Sequence, residues 1–293
     1  MARTVTGLGL TLALFTGGLL TAGAAHAQPV TEGTVAFDGD EGDYISGGRS
    51  YSYAADTDRI QVVGSAARGL VDVNVSGTNG DWWSISLAAP DGQQLKAGTY
   101  EGATRHPFNE GNAPGLNHDG NGRGCNQLTG SFTISKISWG PNGYVEALDA
   151  TYEQHCEGGP AALRGRVHIK NPAPPVELSL GVGVSVDGTA SALNGRATVK
   201  GEVTCNKPVR VDVSGLVTQV KRNILIRGSY ATSVNCVPGA PVAWSAEADP
   251  TGTTPFQAGD VEVKVTATGY DTDYQVGVSA SDIAAVHLTK VKK

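Results

Sequence analysis

The spacing of apolar residues most constrains what this chain can become. Val71, Val73 and Val75 alternate with Asp72 and Asn74, and Trp83, Ile85 and Leu87 alternate with Ser84 and Ser86. A strand sends successive side chains to opposite faces, so each run describes a ribbon with one buried and one wet face. Between the two runs, Gly77-Thr78-Asn79-Gly80-Asp81 carries an Asn-Gly pair, whose tolerance of positive φ suits a hairpin turn. A second hairpin is expected from Ser131 to Trp139, turning at Gly140-Pro141-Asn142-Gly143 and returning along Tyr144, Leu148 and Tyr152. The pattern continues through Val199 and Val203, Val209 to Val213, Ile224 and Ile226, Val242 to Ala246, and Val261, Val263 and Val265. No segment carries a convincing helical period. Strands of this length and spacing predict an all-β chain folded into antiparallel β-sandwiches.

Asn171-Pro172-Ala173-Pro174-Pro175 cannot continue a strand, because its prolines have no backbone N–H to give a ladder. This Pro-rich linker, residues 171–175, separates an N-terminal domain, residues 28–170, from a C-terminal domain, residues 176–293. The first holds 17 acidic and 10 basic side chains and residues 171–293 hold 11 of each, so all the net acidity belongs to the first. An acidic chain with no basic patch is a poor match for a phosphate backbone, and no nucleic-acid partner is expected.

Arg3, the apolar run Leu8 to Leu20 and the small-x-small triplet Ala25-His26-Ala27 predict a secretory signal peptide, residues 1–27, cleaved before Gln28. The run is shorter than a membrane span and is broken by Thr16, Gly17 and Gly18. The ending Lys290-Val291-Lys292-Lys293 adds no second apolar stretch. The expectation is therefore a secreted, extracellular protein with no membrane association after cleavage. Export places Cys125, Cys156, Cys205 and Cys236 in an oxidising compartment, where an even count becomes disulfides. Three connectivities are open. The linker falls between the pairs, which favours Cys125 with Cys156 and Cys205 with Cys236, one bridge per domain. No Cys-x-x-Cys spacing supports zinc instead.

Gly201-Glu202-Val203-Thr204-Cys205, with Cys236 and Trp244 beyond it, resembles the immunoglobulin-like modules of secreted actinobacterial proteins. Trp244 follows both cysteines instead of lying between them, and their 31-residue separation is short for that family's inter-sheet bridge. In the N-terminal domain, Gly122-Arg123-Gly124-Cys125-Asn126 and Tyr152-Glu153-Gln154-His155-Cys156-Glu157-Gly158-Gly159 resemble secreted bacterial proteins of unknown function. That resemblance covers residues 80–168 and implies no activity.

Residues 105–124 read as a long irregular loop, with His106, Pro107, Pro114 and a run of Gly and Asn. If Cys125 pairs with Cys156, the loop ends beside His155 and Glu157. Arg105, His106, His118, Arg123, Glu153 and His155 are then expected to gather at one edge of the sandwich. Within the loop, Asn117-His118-Asp119-Gly120-Asn121-Gly122 opens like a calcium loop, with Asn117, Asp119 and Asn121 as oxygen ligands. The twelfth position is Leu128, so the bidentate carboxylate is missing. The segment is read first as a Gly-rich turn and second as a calcium candidate, with no other cofactor expected. Asp38, Asp40, Glu41 and Asp43 are read as a solvated turn.

Parity singles out Trp82. Trp83 shares its face with Ile85 and Leu87, so Trp82 points the other way with Ser84 and Ser86, beside Asp72 and Asn74. A ring on a polar face suits stacking on a pyranose while neighbouring polar groups bond the hydroxyls. Trp139 and Trp244 read as core. No nucleophile elbow, His-Glu-x-x-His helix, Walker loop or dinucleotide-binding Gly pattern is present. Glu146 and Asp149 fall on opposite faces of one strand, against a glycosidase pair. The sequence thus points to a non-enzymatic binding protein for extracellular or cell-wall carbohydrate, with Trp82, Arg105, His106, Arg123 and His155 at its site. The alternative is a module that binds another secreted protein, as a hydrolase inhibitor or toxin-complex component, through the 105–124 loop.

Overall fold

A computed structural model of the chain describes residues 27–109 and 112–292, so all of the predicted leader but Ala27 lies outside the described residues. Two separate sheets form, each around its own core. Among the described residues, helical structure is limited to two 3-10 turns, Ala66–Arg68 and Pro141–Gly143. Among the described residues no helix is long and apolar enough to cross a membrane.

The first sheet contains β1 (Ala27–Pro29), β2 (Glu32–Gly39), β3 (Ser50–Ala54), β4 (Arg59–Ser65), β5 (Leu70–Ser76) and β6 (Trp82–Ala88). It continues with β7 (Gly98–Arg105), β8 (Gly115–Gly120), β9 (Leu128–Trp139), β10 (Val145–Cys156) and β11 (Ala162–Lys170). Their order is β1-β4-β5-β6-β8-β7-β9-β10-β11-β2-β3. Every pairing is antiparallel except β7 with β8, which is parallel and only two residues long, Thr104 with Gly115 and Arg105 with Leu116. That short link lets the ladder fold over on itself. The rings of Phe37 on β2 and Tyr51 on β3 meet Trp83 on β6 at 4.8 and 5.0 Å between centroids, closing a sandwich. Each such pair adds roughly 0.5–1.5 kcal/mol beyond the area it buries. The apolar positions of the alternation, Val71, Val73, Val75, Trp83, Ile85 and Leu87, are all buried, and Ser86 of the opposite face is buried as well, donating to Asp72.

Some buried positions are polar. His118 on β8 is fully buried against Phe37 and Trp83, with its Nδ1 sharing a 2.7 Å hydrogen bond with the Tyr152 hydroxyl. Beyond the two-residue link, β8 has no strand on its β7 side, and the buried His118 backbone needs partners. Gln154 of β10 supplies both. Its Oε1 accepts from His118 N at 2.8 Å, and its Nε2 donates to His118 O at 2.9 Å. The amide side chain stands in for a missing stretch of strand.

The second sheet contains β12 (Leu180–Val184), β13 (Asp187–Ser191), β14 (Ala197–Cys205) and β15 (Val209–Lys221). It is completed by β16 (Ile224–Cys236), β17 (Val242–Pro250), β18 (Gly259–Asp271) and β19 (Val276–Val291). Their order is β12-β14-β13-β19-β18-β15-β16-β17, with β14 also paired to β17, so the ladder wraps around its core. Again one pairing is parallel, β13 with β19. Trp244 is buried here and stacks on Tyr230, while Trp139 of the first domain is partly buried at the edge of its core.

The disulfides are Cys125–Cys156 and Cys205–Cys236, one in each sheet region. Each spans 31 residues, for which loop-closure entropy alone is worth roughly 3–4 kcal/mol. The linker is anchored at its first residue. Asn171 accepts from Thr31 N and donates to Val145 O, and further along the Tyr144 hydroxyl donates to Pro172 O.

Two outcomes follow from this core. Gln154→Leu leaves a buried N–H and a buried C=O unpaired, and should cost about 2–4 kcal/mol in urea unfolding. Burial lowers the His118 pKa from 6.5 to about 3. Between those values the unfolded chain binds a proton that the folded one refuses, so stability should fall as pH drops from about 6.5, by up to about 1.4 kcal/mol per pH unit. His118→Phe keeps a ring in place but cannot titrate. Its unfolding midpoint should change less between pH 6.5 and 5 than that of the unaltered protein, since carboxylates such as Glu153, whose pKa lies below its ordinary value, stay ionised there.

Candidate functional site

The region expected to be an irregular loop from Arg105 to Gly124 is mostly ordered strand and turn. Arg105 ends β7, residues 115–120 are β8, and only residues 106–114 connect them. The strand was hidden because its inward positions are Leu116, His118 and Gly120, of which only one is apolar. After β8 the chain reverses at once. Gly120 N donates to Arg123 O and Arg123 N to Gly120 O, at 3.0 and 2.9 Å, around Asn121 and Gly122 with φ of 48° and 75°. Two successive positive φ values are what a type I′ turn needs, and Asn-Gly is its preferred pair. Gly120 itself is forced by space, since a Cβ there would lie 2.3 Å from Trp82 O.

This turn is stitched to the start of β6. Asn121 Oδ1 accepts from Trp82 N at 2.9 Å, and Asn121 Nδ2 donates to Asp81 Oδ1 at 2.8 Å. Asp81 Oδ2 accepts from the Tyr53 hydroxyl, which in turn accepts from Trp83 Nε1, both at 2.7 Å. The hydrogen-bonded chain runs from the core to the surface. It holds Trp83 inside at 1% exposure and leaves Trp82 on the outer face at 49%.

Trp82 borders a recess of about 290 Å³, at the lower end of the size range of small-molecule sites. Arg105, His106, Asn117, Asp119 and Arg123 line it with Trp82. The Arg123 guanidinium lies over the Trp83 ring at 5.4 Å, and that of Arg105 over Phe108 at 5.1 Å. Arg123 Nε and His106 Nδ1 are buried without a hydrogen-bond partner. Asn117 and Asp119, two apart on β8, share its outer face, where the Asn117 amide donates to Asp119 Oδ1 at 2.6 Å. Burial raises the Asp119 pKa despite that hydrogen bond and the nearby positive charge of Arg105.

Four of the five expected site residues, Trp82, Arg105, His106 and Arg123, therefore border one recess. His155 does not. It lies on the outer face of β10, with Nε2 3.2 Å from Glu153, which binds Arg164, which also binds Asp40. Of the residues expected beside the loop end, Glu157 is the one that reaches it, accepting from Asn126 N and Gln127 N. The oxygen set proposed for calcium is divided between tasks. Asn121 holds Trp82 and Asp81, while Asn117 and Asp119 bond each other on the strand. Among the described residues, no three His, Cys, Asp or Glu side chains are grouped to hold a metal ion. The acidic segment read as a solvated turn also differs: Asp43 and Ser46 are buried, with Ser46 N and Oγ donating to the carboxylate.

A larger trough of about 670 Å³ lies along β9, β10, β11, β2 and β3. Its charged lining residues, Asp38, Glu153, Arg164 and Arg166, cancel in number, and Arg164 is already paired twice. Of its aromatic lining residues, Phe37, Phe132 and Tyr152 are buried and Tyr51 is partly buried. The smaller recess is the better candidate because it combines an exposed ring with cations that make no carboxylate contact within 4 Å among the described residues. Phe108, the ring under Arg105, was missed from sequence. Its only signal is the Arg105-x-x-Phe108 spacing.

Asn121→Ala removes two side-chain hydrogen bonds and places a Cβ-bearing, non-Asn residue at positive φ. It should cost about 1–3 kcal/mol by denaturant unfolding. Asn121→Gly relieves the backbone and should cost less. The chain matches no known protein-family model and no curated protein sequence at a significant level.

Proposed function

We propose that the protein is secreted and that its N-terminal domain binds carbohydrate, with a sugar ring stacked on Trp82 and its polar groups met by Arg105, His106, Arg123, Asn117 and Asp119. The observation that carries this reading is the half-exposed Trp82 ring at the rim of a polar recess. A pyranose has an apolar face that fits an indole and an equatorial belt of hydroxyls that fits the surrounding donors and acceptors. Two formed disulfides suit an oxidising, extracellular compartment. We read the C-terminal domain as an immunoglobulin-like spacer or secondary contact. The parallel pairing of β13 with β19, and the pairings of β14 with β17 and β15 with β18, support that reading. A protein partner is the second reading, favoured by Phe108, which is 69% exposed and lies beneath Arg105.

The test is a glycan array followed by calorimetry on a retained glycan. Trp82→Ala should weaken binding at least roughly tenfold while leaving the thermal midpoint unchanged, since the ring stands outside the core. Binding that survives Trp82→Ala rejects the site. A stoichiometric protein co-purifying from culture medium, lost on Phe108→Ala, would favour the second reading.

A further inference from the structure

The two arginines of the recess differ from the ion-paired Arg164 and Arg196. Arg164 contacts Asp40 and Glu153, and Arg196 contacts Glu247 and Asp249. Arg105 and Arg123, both partly buried, make no carboxylate contact within 4 Å among the described residues, although Asp119 lines the same recess. Arg105 makes one long hydrogen bond, 3.4 Å, to Asn126 O. Both guanidinium groups are instead held by aromatic rings, Trp83 and Phe108. A ring beneath a guanidinium fixes the plane of the cation while leaving its in-plane N–H groups able to donate. Two such cations bordering one recess, in a domain whose acidic side chains outnumber its basic ones by seven, oppose the overall charge of their surroundings.

We infer that the sugar bound at the Trp82 recess carries an oxyanion, a carboxylate or a sulfate, which Arg105 and Arg123 receive. This rests on the carbohydrate reading above and narrows it to acidic glycans. Guanidinium N–H groups match the oxygens of carboxylate and sulfate alike, and a charge-assisted hydrogen bond is stronger than one between neutral partners. Asp119 is the single carboxylate lining the recess. One of its oxygens already accepts a hydrogen bond from Asn117.

The experiment measures binding of the secreted protein to uronate-containing and sulfated oligosaccharides. Each is paired with its carboxyl-reduced or desulfated counterpart, at low and high salt. Acidic members should bind at least roughly tenfold more tightly than their neutral counterparts, with the difference shrinking as salt rises. Arg105→Gln and Arg123→Gln should each lower acidic binding toward the neutral level, and Trp82→Ala should lower both. Arg105→Gln keeps the test independent of folding, because Arg123 also packs on the core ring Trp83. Equal binding of acidic and neutral members, unmoved by either arginine change but lost with Trp82→Ala, overturns this inference and leaves the carbohydrate reading standing. Binding of neither class, or binding indifferent to Trp82, removes the carbohydrate reading and the inference with it.

Discussion

The N-terminal domain depends on how one strand is held where its neighbour ends. β8 pairs with β6 along its whole length, but with β7 for only two residues, because β7 belongs to the facing side of the sandwich. Past that point the His118 backbone would be left unpaired in the core, at a cost of several kcal/mol. The Gln154 amide closes the gap and ties β8 to β10. A carboxylate would offer acceptors and no donor for His118 O, and a hydroxyl is too short to serve both groups. This clamp fixes the inward-facing His118 and, by parity, the outward face of β8 that carries Asn117 and Asp119.

From that fixed strand the surface is assembled by short-range hydrogen bonds. The type I′ turn after β8 reaches back to β6 through Asn121, and Asp81 and Tyr53 carry the connection to Trp83 in the core. Neighbouring tryptophans thus do opposite jobs. Trp83 packs Phe37 and Tyr51 across the sandwich and also lies beneath the Arg123 guanidinium, while Trp82 borders the recess from outside. Rings restrain both cations of the recess, while Arg105 lies near the Asp119 carboxylate and Arg123 near that of Asp81.

Much of the architecture was legible because it is local. Alternation identified the buried faces of β5 and β6, and the same parity assigned Trp82 to the wet face. The prolines lie in sequence between the two sheets, and Asn171, the first residue of the expected linker, is clamped to the first. β8 was not legible. Its buried residues are a histidine and a glycine as well as a leucine, and its partners come from β6 and β10, distant in sequence. His155 was misplaced for a related reason. Pairing Cys156 with Cys125 brings the chain ends together, yet successive residues of a strand face opposite ways, so His155 joins Glu153 and Arg164 on another surface.

The sequence by itself determined that the protein is built of strands and which tryptophan is offered to solvent. Both follow from backbone periodicity. Only the tertiary structure decided that Arg105 and Arg123 border one recess with no carboxylate contact within 4 Å among the described residues, and that Asn117 and Asp119 share a strand face. Those outcomes depend on which strands become neighbours. A two-residue parallel link and a buried glutamine set that arrangement, and neither leaves a periodic trace in the sequence.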